Sequence, residues 1–400
     1  MEHLSIIDVP SNVLSGKRVF LRVDYNVPIK GEIISEHYRI THTIQTIEYL
    51  LKKEASIVLA SHHEQKDEKE NSIYLSLEPV KNALQDMLKQ EVKFKKGKID
   101  DSALKEAQKL KPGEILMLDN LRFDPREKAY SENPDEEYCK FLASFADVYV
   151  FEAFGAAHRK HVSTNGMVKY FKRRLIGILV KKELGVLEKI RDNPEKPFCV
   201  VVGGGKVSDK LEALKNLAGK ADVILTGGLV AHTFLKAMGK KVGKEIIDEK
   251  WVRTAKEILN EHKNKIILPV DYVVRESTGK VSVVDGEIPE GCEGFDIGPK
   301  TMKKYAEEMR NKATIFWNGP LGKIEEVEFE NGSAGIAREI ALSWWRGATT
   351  VVGGGDTITV LTIAGVMENE FTHVSTGGGA TLQYLAGKVL PALEYIETKE

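Results

Sequence analysis

Short apolar runs alternate with amphipathic stretches along the whole chain. The run FLRVDYN at 20–26 is followed by RITHTIQTIEYLLKK at 39–53, in which Ile40, Ile44 and Ile47 recur at helical spacing. The same alternation continues after each later apolar run. Repeated strand–helix–strand units build parallel sheets with helices on both faces. The pattern therefore predicts an α/β fold throughout.

The residues at the ends of these apolar runs differ between the two halves of the chain. In the second half the runs end in glycine clusters, at 198–206, 222–229, 315–322, 350–357 and 373–380. In the first half they end in charged and hydrogen-bonding residues, at 20–26, 56–65, 115–123 and 147–159. Ligands of open α/β sheets bind just beyond the carboxyl ends of parallel strands. We therefore expect two ligand-binding edges, one with glycine amides for a phosphate chain and one with arginine and histidine for a small polyanion.

A long amphipathic segment, LIGILVKKELGVLEKIRDNPEKP at 175–197, separates the two halves. Its body predicts a helix, which the two prolines of NPEKP end. We expect this helix to join two α/β domains and to act as a hinge; a surface helix within one large domain is the alternative. The final segment, at 385–400, either completes the second domain or reaches back to the first.

Composition and charge narrow the classes of function. A chain of 400 residues, 42% of them hydrophobic, has enough apolar material for two or three domains. The 58 lysines and arginines nearly balance 59 acidic residues, which argues against nucleic acid or an anionic membrane surface as partner. Three scattered cysteines are typical of a reducing cytosol. We see no signal-peptide pattern and no apolar run of the roughly 18–20 residues that span a bilayer, so we expect a cytosolic protein.

The glycine cluster GGGKVSDK at 203–210 has neither the Walker A nor the GxGxxG spacing. One such cluster is equally consistent with a tight turn, but several at successive strand ends favour phosphate binding. Lys206 and Lys210 lie four residues apart, so at the start of a helix they would share one face and neutralise phosphate. Asp356, in GGGDT at 353–357, either caps a helix or holds Mg²⁺ that rides on nucleotide phosphates.

The charged residues of the first half include Arg39, Arg122 and Arg159, which lie at or soon after predicted strand ends. Guanidinium groups bind carboxylate and phosphate bidentately, so three together suit a small phosphorylated acid, although each alone is more typical of a solvated surface. Asp24 and Asn26 either hydrogen-bond a substrate hydroxyl or shape a turn. No carboxylate or cysteine has metal-binding spacing relative to His62, His63, His158 and His161.

A set of motifs in chain order resembles the phosphoglycerate kinase family, from about residue 5 to about residue 395: VFLRVDYNVP, HYRI, LDNLRF, EAFGAAHR, GGGKVSDK, FDIGPKT, WNGPLG, GGGDT and STGGGA. The resemblance implies two Rossmann-like domains, each of three αβα layers with a mostly parallel sheet, joined by a hinge helix. The implied parts are a phosphoglycerate-binding domain, the hinge helix, a nucleotide-binding domain and a segment that packs back on the first domain, at 1–174, 175–195, 196–385 and 386–400.

The resemblance also implies the reaction. Members of the family are usually monomeric glycolytic enzymes, phosphotransferases with a carboxyl group as acceptor. They move a phosphoryl group reversibly between 1,3-bisphosphoglycerate and ADP, giving 3-phosphoglycerate and ATP with Mg²⁺. The chemistry agrees, because an ADP oxygen is already ionised and the transfer requires positive charge and alignment rather than a general base.

Site residues follow from the matching motifs. The residues that match the phosphoglycerate site are Asp24, Asn26, Arg39, His62, Arg122 and Arg159. The residues that match the nucleotide site are Gly204, Gly205, Lys206, Lys210, Gly227, Gly228, Asn318, Pro320, Glu325, Gly353, Gly354, Gly355, Asp356 and Thr357. In the family pattern Glu325 would contact the ribose and Asp356 the Mg²⁺. The groups expected around the migrating phosphoryl group are Arg39, Lys206, Lys210 and the amides of Gly354 and Gly378.

The chain departs from the family pattern in three motifs. The family's His-Leu-Gly-Arg-Pro is HHEQK at 62–66, which removes an arginine expected at the substrate and adds the carboxylate of Glu64. The family's Asn-Asp-Ala-Phe is FEAF at 151–154, and its Gly-Val-Phe-Glu is GKIE at 322–325. These changes leave two alternatives to an active enzyme of this family. One is a catalytically weak nucleotide-binding paralogue with a regulatory or scaffold role, and the other is a phosphotransferase acting on another small phosphorylated acid.

Overall fold

The computed structural model describes residues 2–67, 69 and 71–399. The chain divides into an N-terminal unit, Met1–Gly185 with Val389–Glu400, and a C-terminal unit, Val186–Lys388. The division falls inside one helix, Ile178–Asp192, which lies within the segment expected to connect two domains. The domain boundaries assigned from the sequence at 174, 195 and 385 stay predictions.

A six-stranded sheet, parallel at every pairing among the described residues, forms the centre of the N-terminal unit. The strands of this unit are β1 (Arg18–Val23), β2 (Ile29–Lys30), β3 (Ile33–Ile34), β4 (Ser56–Ala60), β5 (Gln65–Lys66), β6 (Ser72–Ile73), β7 (Val92–Lys95), β8 (Ile115–Leu118), β9 (Val148–Glu152) and β10 (Arg173–Ile176). The sheet order is β10-β9-β1-β4-β8-β7, and β2–β3 and β5–β6 form short antiparallel pairs. Strands β4, β7 and β8 lie on one side of β1, and β9 and β10 lie on the other side. The strand order therefore reverses between β1 and β9, and the crevice of this sheet lies beyond the carboxyl ends of these two strands.

The helices of the N-terminal unit follow its strands. They are α1 (Tyr38–Thr41), α2 (Ile44–Lys52), α3 (Glu78–Leu88), α4 (Asp101–Gln108), α5 (Arg126–Ala129), α6 (Glu136–Ala143) and the start of α7 (Ile178–Asp192). Two of them begin where an aspartate accepts a backbone N–H: Asp100 from Ser102 at 3.0 Å, and Asp135 from Tyr138 at 2.9 Å. The end of the chain belongs to this unit, where the Ala392 N–H donates to the Ala157 carbonyl at 3.1 Å.

The C-terminal unit has a second six-stranded parallel sheet within the described residues. Its strands are β11 (Phe198–Val202), β12 (Val223–Thr226), β13 (Ile266–Ile267), β14 (Asp271–Arg275), β15 (Val281–Asp285), β16 (Glu293–Ile297), β17 (Thr314–Asn318), β18 (Thr349–Gly353) and β19 (His373–Ser375). Its helices are α8 (Val207–Leu217), α9 (Gly228–Ala237), α10 (Glu249–His262), α11 (Pro299–Met309), α12 (Asn331–Trp345), α13 (Gly355–Ala364) and α14 (Gly379–Leu385). The sheet order is β13-β12-β11-β17-β18-β19, so its crevice lies beyond β11 and β17.

The prediction of an α/β fold with two mostly parallel sheets is confirmed. The central strands of both sheets are almost wholly buried, which is why the sequence shows them as continuous apolar runs. The sequence did not indicate the three-stranded antiparallel sheet β15-β14-β16. Among the described residues, no helix combines the length and the apolar character needed to cross a membrane.

Candidate functional site

The carboxyl ends of four adjacent strands, β9, β1, β4 and β8, bring the predicted acid-binding residues to one edge of the N-terminal sheet. Asp24 and Asn26 follow β1, His62 follows β4, Arg122 lies in a 3₁₀ turn after β8, and Arg159 follows β9. Arg39 joins them from the short helix α1. We call this set the basic edge: Asp24, Asn26, Arg39, His62, Arg122 and Arg159.

Asp24 is the acidic centre of the basic edge. Its carboxylate accepts a hydrogen bond from the Arg39 guanidinium, and one of its oxygens lies 3.9 Å from His62 Nδ1. Burial opposes ionisation, but the positive charges of Arg39, Arg159 and Arg22 outweigh it and hold the pKa of Asp24 below its usual range. Asp24 is therefore a permanent anion that fixes the direction of Arg39.

His62 lies between two arginines. Its Nδ1 is 3.2 Å from Arg22 Nη2, and its Nε2 is 3.1 Å from Arg159 Nη1. Burial, and then the charges of Arg22, Arg122 and Arg159, lower the pKa of His62 well below its usual value, so the ring is neutral. A neutral imidazole has one acceptor nitrogen. It can accept from only one of the two guanidinium groups. Because Arg22 is fully buried, Arg159 is the one of the two that can offer a donor to an anionic ligand.

Arg122 has an internal partner that the sequence did not assign. Its guanidinium donates to the carboxylate of Glu64, which also lies 3.1 Å from the ammonium of Lys128. Asn120 orders the two loops that carry this pair, because its side-chain oxygen accepts from the backbone N–H groups of Arg122 and His63, each at 3.0 Å. The sequence signal for Asn120 is its place two residues after β8, within LDNLRF.

A buried ionic network lies beneath the basic edge and was also missed. Arg22 Nε donates to Ser163 Oγ at 2.8 Å, and Ser163 Oγ donates in turn to Glu127 at 2.5 Å. Burial lowers the pKa of Arg22 and raises the pKa of Glu127. The available signal was the charge of Arg22 inside the apolar run at 20–26. This network holds the arginine that contacts His62.

The glycine-rich edge is the set of residues that follow β11, β12, β17, β18 and β19. Helices α8, α9, α13 and α14 all begin there, and α9 begins at Gly228 and α13 at Gly355. The residues predicted to bind nucleotide lie at or after the carboxyl ends of β11, β12, β17 and β18, and Gly378 precedes α14 after β19. The first N–H groups of a helix lack intrahelical partners and carry partial positive charge. Several such helix starts at one edge suit a chain of phosphates.

Glycine is required at this edge where the segments that follow β11 and β17 approach each other closely. The Gly203 N–H donates to the Asn318 carbonyl at 3.1 Å, and a Cβ on Gly203 would lie 2.2 Å from the Pro320 carbonyl oxygen. Gly354 has φ +105°, a conformation that residues with a side chain rarely adopt. The crevice beyond β11 and β17 therefore has backbone groups on its walls.

The two lysines of the glycine-rich edge have different surroundings. Lys206 is exposed at the N-cap position of α8, whereas Lys210, in the first turn of that helix, is buried and donates to the Gly203 carbonyl. Burial lowers the pKa of Lys210 to about 8, although the charge of Asp356 opposes the shift. Lys206 is therefore a solvated cation, and Lys210 is a cation whose charge depends on pH.

Asp356 is an exposed carboxylate in the first turn of α13. The alternative that it caps this helix is wrong, because Gly354 holds the N-cap position. Among the described residues, no group of three or more histidine, cysteine, aspartate or glutamate side chains could hold a metal ion. One carboxylate beside a phosphate-binding edge fits a Mg²⁺ that takes its remaining ligands from phosphate oxygens and water. Glu325 is exposed in the loop that follows β17.

Comparison with known proteins places the whole chain in one family. The family model described as phosphoglycerate kinase matches residues 9–388. A phosphoglycerate kinase of Anaeromyxobacter sp. (strain Fw109-5) is 41% identical over 393 residues, covering 96% of this chain and 97% of the relative. One of Fervidobacterium nodosum is 40% identical over 408 residues, covering all of both chains. These matches give no support to the alternative of a regulatory or scaffold paralogue.

Solved structures agree with the sequence relatives. The phosphoglycerate kinase of Pyrococcus horikoshii OT3 superposes with a TM-score of 0.85 at 32% identity, and that of Coxiella burnetii with a TM-score of 0.80 at 33% identity. Each comparison covers 98% of both chains. This chain therefore belongs to the phosphoglycerate kinase family.

Proposed function

We propose that this chain carries out the reaction of its family, the reversible transfer of a phosphoryl group between 1,3-bisphosphoglycerate and ADP, which gives 3-phosphoglycerate and ATP. The observation that carries the proposal is the contrast between the two sheet edges. The basic edge gathers guanidinium groups, and the glycine-rich edge gathers helix N-termini and two lysines. The first suits a small acid with carboxylate and phosphate groups, and the second suits a polyphosphate.

The phosphoglycerate binds at the basic edge in this proposal. Arg122 and Arg159 provide donors for its anionic groups, and Asp24 and Asn26 provide acceptors for its hydroxyl. His62 is neutral and accepts from an arginine, so it adds no charge to the site. Arg39, oriented by Asp24, directs its remaining donors toward the phosphoryl group.

The nucleotide binds at the glycine-rich edge. Backbone N–H groups at the starts of α8, α9 and α13 would donate to its phosphates. The carboxylate of Glu325, exposed in the loop after β17, would contact the ribose hydroxyls. Asp356 would hold Mg²⁺, which when bound neutralises charge on the nucleotide phosphates. Lys206, Lys210 and the amides of Gly354 and Gly378 would surround the equatorial oxygens of the migrating group.

No general base is needed for this chemistry. The attacking oxygen of ADP is already ionised, so catalysis consists of alignment and stabilisation of charge in the transition state. Arginine, lysine and backbone amide groups supply that charge without a proton transfer. Water must be excluded, because it would hydrolyse the acyl phosphate. We propose that α7 acts as the hinge about which the two units close on their ligands.

We propose a monomeric cytosolic enzyme. Its three cysteines, Cys139, Cys199 and Cys292, are free, which supports a reducing compartment.

The test is to incubate the purified protein with 3-phosphoglycerate and MgATP and to measure ADP formation with a coupled assay. We expect turnover that requires both substrates and stops when Mg²⁺ is chelated. Undetectable turnover together with normal ATP binding would contradict the proposal and favour a binding protein. A panel of other small phosphorylated acids tests substrate choice, and a faster reaction with one of them would replace 3-phosphoglycerate as the substrate.

A further inference from the structure

Glu64 is a carboxylate beside the basic edge, and the proposed reaction gives it no role. It follows β4 by a few residues, and its backbone N–H donates to the side-chain oxygen of Asn26 at 2.9 Å. Since Asn26 belongs to the basic edge, this bond fixes the start of the Glu64 side chain within the proposed acid-binding site. Glu64 is therefore part of the site's wall and not a residue of a distant loop.

Both oxygens of the Glu64 carboxylate are engaged by donors. Oε2 accepts from the Arg122 guanidinium, and Oε1 accepts from Ser72 Oγ at 2.5 Å and from Lys128 Nζ at 3.1 Å. The Arg122 side chain is 1% exposed and that of Glu64 is 16% exposed. The pair is thus largely shielded from water. In such surroundings a charge-assisted contact is stronger than at the surface.

The charge of Glu64 is permanent. Burial opposes its ionisation, but Ser72, Arg122 and Lys128 together lower its pKa to about 2. At neutral pH the Arg122 guanidinium therefore already has a full negative charge as its neighbour. The contact resembles the one that a carboxylate or phosphate group of a ligand would make with the same arginine.

We propose that Glu64 is an internal competitor of the acidic substrate for Arg122 and thereby sets the affinity of the basic edge. This inference rests on the proposed function and names a residue that determines affinity within the same site. An incoming anion must displace the Glu64 carboxylate from Arg122 or bind beside it against its charge. Either route weakens substrate binding and leaves the transfer step unchanged, because Glu64 touches no group assigned to the migrating phosphoryl.

The test is steady-state kinetics of Glu64→Gln, which keeps the size of the side chain and removes its charge. A charge-assisted contact corresponds to roughly a ten- to hundredfold change in binding, so we expect the KM for 3-phosphoglycerate to fall by about tenfold. The kcat and the KM for MgATP should stay within about twofold. An unchanged or raised KM for 3-phosphoglycerate would overturn the proposal, because Glu64 would then be neutral toward the substrate or needed to hold Arg122 in place.

Two further variants separate competition from other effects. Glu132→Gln removes an exposed carboxylate that lines the same surface cavity as Arg122 and Lys128 and should leave this KM unchanged. An equal fall would show a general field effect and overturn the proposal. In a double-mutant cycle with Arg122→Met, Glu64→Gln should no longer lower the KM. Additive effects of the two substitutions would contradict a competition for Arg122.

Calorimetric titration of 3-phosphoglycerate keeps this inference distinct from the proposed function. If wild-type protein shows no turnover, the proposed function fails, and the inference is decided by whether Glu64→Gln tightens 3-phosphoglycerate binding. If wild-type protein turns over and neither KM nor Kd changes in the variant, the inference alone fails. Should Glu64→Gln not fold, Glu64→Ala removes the same charge, and the same fall in KM is expected.

Discussion

Arg39 of α1 donates a hydrogen bond to Asp24 at the end of β1, so a helix residue is tied to the edge of the sheet. The Arg39 side chain is 25% exposed and that of Asp24 is 9% exposed. One nitrogen of the guanidinium, Nη1, is thus anchored, while part of the side chain stays accessible to a ligand. An arginine held in this way has its direction set before substrate binds, which reduces the reorganisation needed in the transition state.

Arg39→Ala should lower kcat far more than it weakens ATP binding, because the charge of Arg39 acts on the phosphoryl group in flight. We expect a loss of about 10²–10³-fold in kcat, the usual effect of removing one preorganised donor. The Kd for ATP, measured by calorimetry, should change by less than about twofold.

Arg126→Ala serves as the control for this prediction. Arg126 is a half-exposed arginine of the same unit that pairs with Asp124, away from the Asp24 contact. Its loss should leave kcat near the wild-type value. Equal losses of kcat and ATP affinity in Arg39→Ala would contradict a role confined to the transition state.

Lys210 should make nucleotide binding depend on pH. Its pKa is lowered to about 8 by burial, so the free protein loses this positive charge as the pH rises through 8. Because nucleotide phosphate favours the protonated lysine, the Kd for ADP should rise by up to about tenfold per pH unit above 8. Calorimetry between pH 7 and pH 9.5 measures this dependence.

Lys210→Met identifies the group responsible. The variant should bind ADP weakly at pH 7 and show a nearly constant Kd across the same range. Lys206→Met should bind more weakly but keep the pH dependence, because Lys206 is exposed. A wild-type Kd that stays constant up to pH 9 would show that Lys210 remains protonated throughout.

Gly203→Ala should damage the crevice beyond β11 and β17. The added Cβ would lie 2.2 Å from the Pro320 carbonyl oxygen and 2.8 Å from Leu321 Cδ2, so the backbone must shift. Overpacking of this kind costs about 1–3 kcal/mol in the free energy of unfolding. We expect a lower Tm and weaker ADP binding, measured by calorimetry.

Gly219→Ala is the matched control in the same unit. Gly219 is exposed after α8, and a Cβ there would meet nothing within 4 Å. Its Tm and ADP affinity should equal those of the wild type. A Gly203→Ala protein with an unchanged Tm would show that the two strand ends separate at little cost.

The parallel sheets could be predicted from the sequence because strands buried on both faces leave continuous apolar runs. The antiparallel sheet could not be predicted in this way. Its strand β15 is half-exposed with alternating burial, so it does not form a continuous, buried apolar run. The edges of the sheets were foreseeable because residues that follow adjacent parallel strands must meet. The pairing of Glu64 with Arg122 was not, because it joins two loops 58 residues apart whose paths depend on Asn120 and Ser72.

Glu152 should make the stability of the N-terminal unit depend on pH near neutrality. It ends β9 and accepts from the first backbone N–H groups of α7, those of Leu179 at 2.9 Å and Val180 at 3.1 Å. Gly177 permits this approach, because a Cβ there would lie 2.1 Å from the carboxylate. Burial raises the pKa of Glu152 to about 7, although Thr46 and the two N–H groups oppose the shift.

The sign of the effect follows from proton binding. Between the ordinary pKa of 4.5 and the folded value of about 7, the folded chain keeps a proton that the unfolded chain has released. The free energy of unfolding therefore falls as the pH rises through this window, by about 3 kcal/mol in total at 1.36 kcal/mol per pKa unit. Glu152→Gln removes the titration, so its stability relative to wild type should rise by that amount between pH 4.5 and pH 7.5. Urea unfolding followed by circular dichroism measures the difference, with the exposed Glu48→Gln as control, for which the difference should stay constant. A constant difference for Glu152→Gln as well would mean that water or a local rearrangement solvates the carboxylate at the start of α7.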